Sequence, residues 1–398
     1  KKKKINILLL SPYRFRDDIA GLSNFGDINI IKFPLNLQYF LFSNYSKNII
    51  SNNFLLKKNE IKNLDLIKKV NLVFENLLSF SLQKLSINFV ASSALNYVQD
   101  AIYFQFFRNK KIKILIIARE NFGIQRFQLE MIKDYLKKFN LFPADLVFCQ
   151  NSDTKQMYEE IINNKISKII SVGTFRMDNF VNKINLETKV ENKKKKDIVL
   201  FSFTRNTGIN IQKDMSLIGA NDKKGLNSFF KNSHNILIEY AQNNSEYNLY
   251  IKHKFGGHFL EEIKNNWFEY SKKKIPDNCY ILSNIDPHNL ILNADLVISF
   301  NSSTLLESGL RDIPILIPAF DEVTNEYKEY FDLSVYESGF QVIKDKKNFC
   351  QILEKSLKGF KITEEQKSNR TYLFNKYLSD TNENATSKFL KYVRESVE

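Results

Sequence analysis

Short apolar runs rich in β-branched residues recur along the chain, each closed by a polar or small-residue loop. Between them lie stretches whose apolar positions return every three or four residues. The runs Ile5–Leu10, Ile28–Phe33, Ile112–Ala118, Asp145–Cys149, Lys168–Val172, Asp197–Phe203, Asn248–Lys252, Cys279–Leu282, Leu296–Phe300 and Pro314–Pro318 are predicted strands. Gln125–Phe139, Thr154–Asn164, Asn235–Gln242 and Ser303–Leu310 are predicted amphipathic helices. Strands that are apolar on both faces and alternate with helices predict an α/β protein with parallel sheets, not a sandwich or a bundle. Between Leu37 and Phe107 the rhythm breaks. There LQYFLF, VFENLLSFSL and NYVQDAIYFQFF read as an aromatic, helix-like layer with interspersed lysines. That layer is either core packing or a basic-aromatic face for a membrane surface or a lipid-linked acceptor. The stretch Thr363–Glu398 reads as helix throughout.

The alternation resets at Glu191–Lys196, a solvated run that separates the strand ending near Val172 from a new series opening DIVLFSF at Asp197. With 398 residues, this predicts two doubly wound Rossmann-like domains, residues 1–190 and 191–365, followed by C-terminal helices over 366–398 that pack back across the domains. A ligand is expected in the cleft at the carboxyl ends of both sheets.

Composition narrows the class. With 12 Gly, 7 Pro and three well-separated Cys (Cys149, Cys279, Cys350), the chain is neither collagen-like nor a disulfide scaffold, and a reducing compartment is expected. No apolar stretch reaches the ~18–20 residues needed to span a bilayer. The opening INILLLSP is too short an apolar run for a signal peptide. We therefore expect a cytoplasmic protein, with a place at the inner face of the membrane left open. The net charge of +14 suits a polyanionic partner, but lysine is scattered along the chain as an A+T-rich coding bias would leave it. Neither an Arg-rich helix nor zinc-finger spacing is present, and nucleic acid is not expected as a partner.

The stretch NADLVISFNSSTLLESGLRDIPILIP, Asn293–Pro318, carries the clearest chemistry. A strand runs into Asn301-Ser302-Ser303-Thr304, a helix opens, and Glu307 sits four residues after Ser303. Hydroxyls and backbone N–H groups at a helix start form an anion site, or Ser302 or Ser303 is simply the cap that such a turn needs. The pattern AD-x-V-I-S-x-x-S-S/T-x-x-x-E-x-x-x-x-x-x-P-x-L resembles the nucleotide-binding segment of GT-B glycosyltransferases. It is most similar to enzymes of bacterial surface-polysaccharide assembly that use CMP-activated Kdo or sialic-type sugars, and to CDP-glycerol transferases. The resemblance implies that Ser302, Ser303 and Thr304 contact the donor phosphate and Glu307 the ribose. Leu310-Arg311-Asp312 departs from the Gly-Lys-Pro-like turn of many relatives. YNLYIKHKFGGH, Tyr247–His258, resembles the family's Lys-x-His-Pro strand and loop without its Pro. It implies a phosphate contact from His253, shared by Lys252 or Lys254. KIISVGTFRMDNF, Lys168–Phe180, resembles the family's V-x-G-x-x-R-x-D turn through Gly173, Arg176 and Asp178, which we read as structural.

Other assignments follow from position. Ser202, Thr204, Arg205 and Asn206 close the first strand of the second domain; Thr204 and Arg205 are candidates for the donor phosphate, with Arg205 alternatively a loop arginine paired to a carboxylate. A general base for the acceptor hydroxyl should come from the first domain. Glu120, at the end of a buried strand, is the first choice and Asp18, beside Asp17, the next; Arg119 and Arg14 are candidates for acceptor binding. Asp-x-Asp and C-x-x-C pairs are lacking, and the four histidines (His234, His253, His258, His288) stand isolated in the sequence, so no metal is expected. Without a Gly-x-Gly-x-x-Gly or Gly-Lys-Ser/Thr loop, no cofactor is expected either, the nucleotide sugar being the substrate. The expected activity is metal-independent transfer of a sugar from a nucleotide donor to a glycan or lipid-linked glycan. The rivals are a CDP-glycerol-type polyol-phosphate transferase and a non-catalytic polyanion-binding protein. A nucleotide-sugar 2-epimerase would need carboxylates and histidines gathered round one sugar, and the sequence displays no such cluster.

Overall fold

In the computed structural model the ten predicted strands and two more assemble into two six-stranded sheets whose pairings are all parallel. The structure describes residues 4–23, 26–46, 68–69, 71–76, 84–95, 100, 103–119, 123–137, 144–162, 168–186, 193–209, 225–253 and 257–397. The chain divides into two units. Lys1–Ile124, Leu129–Val181 and Lys376–Glu398 form the first, and Gln125–Gln128 with Asn182–Asn375 the second.

The first sheet contains β1 (Ile5–Leu9), β2 (Ile28–Lys32), β3 (Phe89–Ser92), β4 (Lys113–Ile117), β5 (Leu146–Cys149) and β6 (Lys168–Ser171), in the order β2-β1-β3-β4-β5-β6. Its helices are α1 (Arg16–Ser23), α2 (Leu35–Ser46), α3 (Phe104–Asn109), α4 (Arg126–Lys137), α5 (Ser152–Ile162) and α6 (Phe175–Leu186). Successive strand residues point to opposite faces, so a strand covered on both sides must be apolar at every position. Leu8, Val90, Ile114 and Ile116 join one core with Phe74, Tyr103, Phe104, Phe106 and Phe107. Ile7, Leu9, Phe89, Leu115 and Ile117 join the other with Phe15 and Phe175. Phe74, Tyr103, Phe104, Phe106 and Phe107 of the irregular stretch are therefore core: Phe74 lies 4.5 Å from Tyr103 and 5.3 Å from Phe106, centroid to centroid. Tyr39 and Phe40 on α2 are exposed. That stretch is not helical throughout as expected, because β3 lies within it, between β1 and β4.

The second sheet contains β7 (Lys196–Phe201), β8 (Tyr247–Lys252), β9 (Cys279–Leu282), β10 (Leu296–Ser299), β11 (Ile315–Pro318) and β12 (Gln341–Ile343), in the order β12-β11-β10-β7-β8-β9. Three-residue β12 is a strand that the hydrophobic pattern did not predict; it pairs along β11 at the sheet edge. The helices here are α7 (Asn227–Asn243), α8 (Gly257–Ser271), α9 (Pro287–Asn293), α10 (Ser303–Ser308), α11 (Ser334–Glu337), α12 (Phe349–Gly359) and α13 (Glu364–Tyr377).

The C-terminal stretch, expected as helix throughout, is two helices, α13 and α14 (Ala385–Glu395). Asn384 caps α14 through an N–H donated by Ser387 at 2.8 Å. The Asp178 carboxylate accepts from the N–H groups of Ala385 and Thr386, both at 2.8 Å, and from the Thr386 hydroxyl at 2.6 Å. Phe389, Leu390 and Val393 of α14 are buried in the first unit's core. Arg370 of α13 is buried in the second unit, donating to the carbonyls of Gly339 (2.6 Å), Ile313 (2.9 Å) and Arg311 (3.2 Å). Among the described residues no helix is long and apolar enough to cross a membrane.

Candidate functional site

From β7 the second sheet grows one way through β8 and β9 and the other way through β10, β11 and β12, so strand order reverses between β7 and β10. Connections leaving such a pair go to opposite faces and open a crevice beyond the carboxyl ends, where doubly wound proteins bind their ligands. The register aligns Phe201 with Ser299 on one side and with Lys252 on the other. Three adjacent strands therefore end level, and the residues just beyond them are Thr204 and Arg205 after β7, His253 after β8 and Ser302–Thr304 after β10. Lys254 lies outside the described residues.

The turn after β10 is built by short polar side chains. Asn301 adopts a left-handed backbone (φ 45°), a conformation asparagine tolerates better than bulkier residues. Ser302 is extended and caps α10, its hydroxyl accepting from the Thr304 N–H at 3.4 Å. The Thr304 hydroxyl donates to Ser302 Oγ at 3.0 Å and lies 3.1 Å from Ser299 Oγ. Ser303 is half-buried at the helix start. Glu307, 2% exposed on α10, has Oε2 3.3 Å from Nε2 of His288 on α9. His288 is thus not isolated, as the sequence left it: the packing of α9 on α10 pairs it with a carboxylate distant in sequence.

The β7 loop is tightly hydrogen-bonded. The Thr204 N–H donates to Thr207 Oγ1 at 3.0 Å. The Arg205 guanidinium pairs with Glu262 of α8 at 2.5 Å and donates to Asn227 Oδ1 at 3.2 Å, so its charge is met by a carboxylate. Gly225 (φ 113°) is needed where the chain turns back, because a Cβ there would meet the Arg205 carbonyl oxygen at 2.8 Å. On β8 the half-buried Lys252 donates to the His253 carbonyl at 2.8 Å, and burial holds its ammonium below the usual lysine range. His253 is 2% exposed and not a surface histidine; its N–H donates to the Leu282 carbonyl at 3.1 Å. Ser202, the first residue after β7, lies 2.9 Å from Nε2 of His234, a histidine on α7 with no measurable exposure.

The first sheet has its own reversal, between β1 and β3. Beyond it Asp100, fully buried, accepts from the Ser11 hydroxyl (2.6 Å), the Ser92 hydroxyl (2.7 Å) and the Gln38 amide (2.7 Å). Burial pushes its carboxyl above the ordinary range, against the three hydrogen bonds that lower it. Sequence reasoning missed Asp100; a lone aspartate in an aromatic stretch was the only signal. Arg14, half-buried, lies over the Tyr13 ring at 5.1 Å. Asp18 and Arg119, read for separate roles, form one ion pair at 2.5 Å, and Asp18 also accepts from the Arg176 N–H at 3.3 Å. Glu120 lies outside the described residues. Among the described residues no group of three or more His, Cys, Asp or Glu is placed to hold a metal ion.

No protein-family model and no curated protein matches the chain. Solved structures do. A protein of Listeria monocytogenes assigned as a UDP-N-acetylglucosamine 2-epimerase superposes with a TM-score of 0.55 at 11% identity, over 99% of this chain and 97% of the other. The UDP-GlcNAc 2-epimerase of Neisseria meningitidis, bound to UDP-GlcNAc, gives 0.51 at 11% identity over 99% and 100%. A UDP-forming α,α-trehalose-phosphate synthase of Burkholderia xenovorans gives 0.51 at 10% identity over the whole of both chains. The fold is GT-B. At these identities the likeness speaks to the fold, and nothing in it points to the CMP-activated or CDP-glycerol type that the sequence resembles. GT-B proteins carry two Rossmann-like units, here the sheets β1–β6 and β7–β12.

Proposed function

We propose that the protein is a nucleotide-sugar enzyme of the glycosyltransferase class, moving a sugar from a nucleotide donor held by the second unit to a glycan or lipid-linked glycan held by the first, in surface-polysaccharide assembly. The observation that supports this most is the convergence, at the reversal of the second sheet, of the Asn301–Thr304 turn with Thr204, Arg205, Lys252 and His253. Hydroxyls, a helix start and cations suit a diphosphate, whose departing charge must be stabilised as the glycosidic bond breaks. Glu307 is buried one turn from the serines, where a ribose hydroxyl could donate to it. The solved GT-B structures that act on or bind UDP-linked sugars support the same substrate class.

The His288–Glu307 pair favours a second reading, epimerisation of a nucleotide sugar, since proton removal and return at a sugar carbon use such groups. Incubation of the full chain with UDP-, GDP- and CMP-linked sugars, with products resolved by NMR, tests both. Release of free nucleotide together with sugar transfer or hydrolysis supports the transferase. A configurational change with the nucleotide still attached supports the epimerase, and no turnover or binding of any donor overturns both.

A further inference from the structure

Ser202 and His234 form a buried polar pair at the carboxyl end of β7, beside the strand-order reversal, and neither is used by the reading above. His234 Nδ1 lies 2.7 Å from the Phe230 carbonyl, a group that only accepts, so Nδ1 carries a proton. The ring is buried against Phe203 and Phe230, and that burial pushes its pKa down to about 4. At neutral pH Nε2 is therefore bare, and the Ser202 hydroxyl must donate its proton to it. The oxygen's lone pairs remain. Ser202 is 9% exposed, its own N–H goes to the Lys252 carbonyl at 2.9 Å, and no described group donates to its hydroxyl oxygen. With its one proton given to His234, the hydroxyl can only accept from any further partner.

We propose that Ser202 is a ligand-binding residue made acceptor-only by His234. It takes a hydroxyl or N–H of the bound molecule and disfavours a phosphate oxygen. The polyol or base portion of the ligand then lies over β7, while its phosphate goes to the Asn301–Thr304 turn. This rests on the proposal that a nucleotide sugar binds at this reversal.

Calorimetric titration of the full chain with UDP, or with whichever of CMP, CDP, GDP and ADP stabilises it most, and separately with inorganic pyrophosphate, tests the assignment. Ser202→Ala should weaken the nucleotide about three- to tenfold and leave pyrophosphate unchanged. His234→Leu should do the same, by releasing the serine proton. His234→Gln, whose amide oxygen can take that proton, should restore nucleotide binding. Unchanged nucleotide affinity in folded Ser202→Ala, or an equal loss for pyrophosphate, overturns the assignment alone. Wild-type protein that binds no nucleotide overturns the proposed function and this inference with it. Ser202→Ala is nearly isosteric, so it carries the test even if a His234 variant fails to fold.

Discussion

A buried histidine that meets only a carbonyl and a hydroxyl must stay neutral, and stability then follows its proton. His234 is depressed from 6.5 to about 4 in the folded chain, so between those values the unfolded state binds more protons. Its contribution is complete above about 6.5 and is lost as pH falls through about 4, a difference of about 3 kcal/mol at ~1.36 kcal/mol per unit. Urea titrations should show stability falling over that window, with a shallower slope in His234→Gln. Asp100 behaves oppositely: its carboxyl is raised, so the stability it contributes is present below the unfolded value of 3.8 and lost as pH rises through the folded value. Asp100→Asn should therefore hold or raise the melting temperature at pH 7; a fall of several degrees would mean that the charge itself organises Ser11 and Ser92. At this scale the sequence was readable where chemistry is local. The Ser302 cap and the Asn301 turn are contacts between near neighbours, whereas the partners of His234, His288 and Asp100 come from other elements and leave no local pattern.

Helix ends show how distant elements are tied together. The N–H groups of Ser228 and Phe229, at the start of α7, donate to the Glu322 carboxylate at 2.6 and 2.8 Å. A carboxylate there satisfies orphan donors and the helix dipole. Glu322→Ala should cost about 1–2 kcal/mol of unfolding free energy, and Glu322→Gln less, since an amide oxygen still accepts. Asp178 serves α14 in the same way, which agrees with the structural role read for that residue from its motif. Arg370 ties α13 to three carbonyls in a geometry that a lysine cannot reproduce. Arg370→Lys should lower stability by about 2–3 kcal/mol, read from the denaturation midpoint. Ten strands were legible as apolar runs because parallel strands are covered on both faces. β3 was hidden among aromatic residues whose helical-looking spacing is shared by any dense core, and β12 is too short to make a pattern.

At the scale of the whole molecule, a ligand that binds only the folded state raises its melting temperature in proportion to the logarithm of its excess over the dissociation constant. A panel of CMP, CDP, UDP, GDP and ADP at low salt should give a selective shift for one base, abolished in the double variant Ser302→Ala, Ser303→Ala. A uniform or absent shift would count against a nucleotide site at the β10 turn. Ending the chain before Ala385 removes Phe389, Leu390 and Val393 from the first unit's core, each contributing about 1.5–3 kcal/mol by burial. Limited proteolysis of that truncated chain should digest residues 1–181 while fragments within 182–375 persist. The α/β class, the alternation, the mid-chain reset and the serine turn after β10 could be read from the residues alone, because hydrophobic period and turn chemistry act over a few residues. Tertiary packing alone settled where strand order reverses, that it is α14 which closes the first unit's core, and that Glu307 meets His288 and Ser202 meets His234. Those facts depend on which distant segments can bury their apolar faces together, and burial couples residues through space with no regard for their separation along the chain.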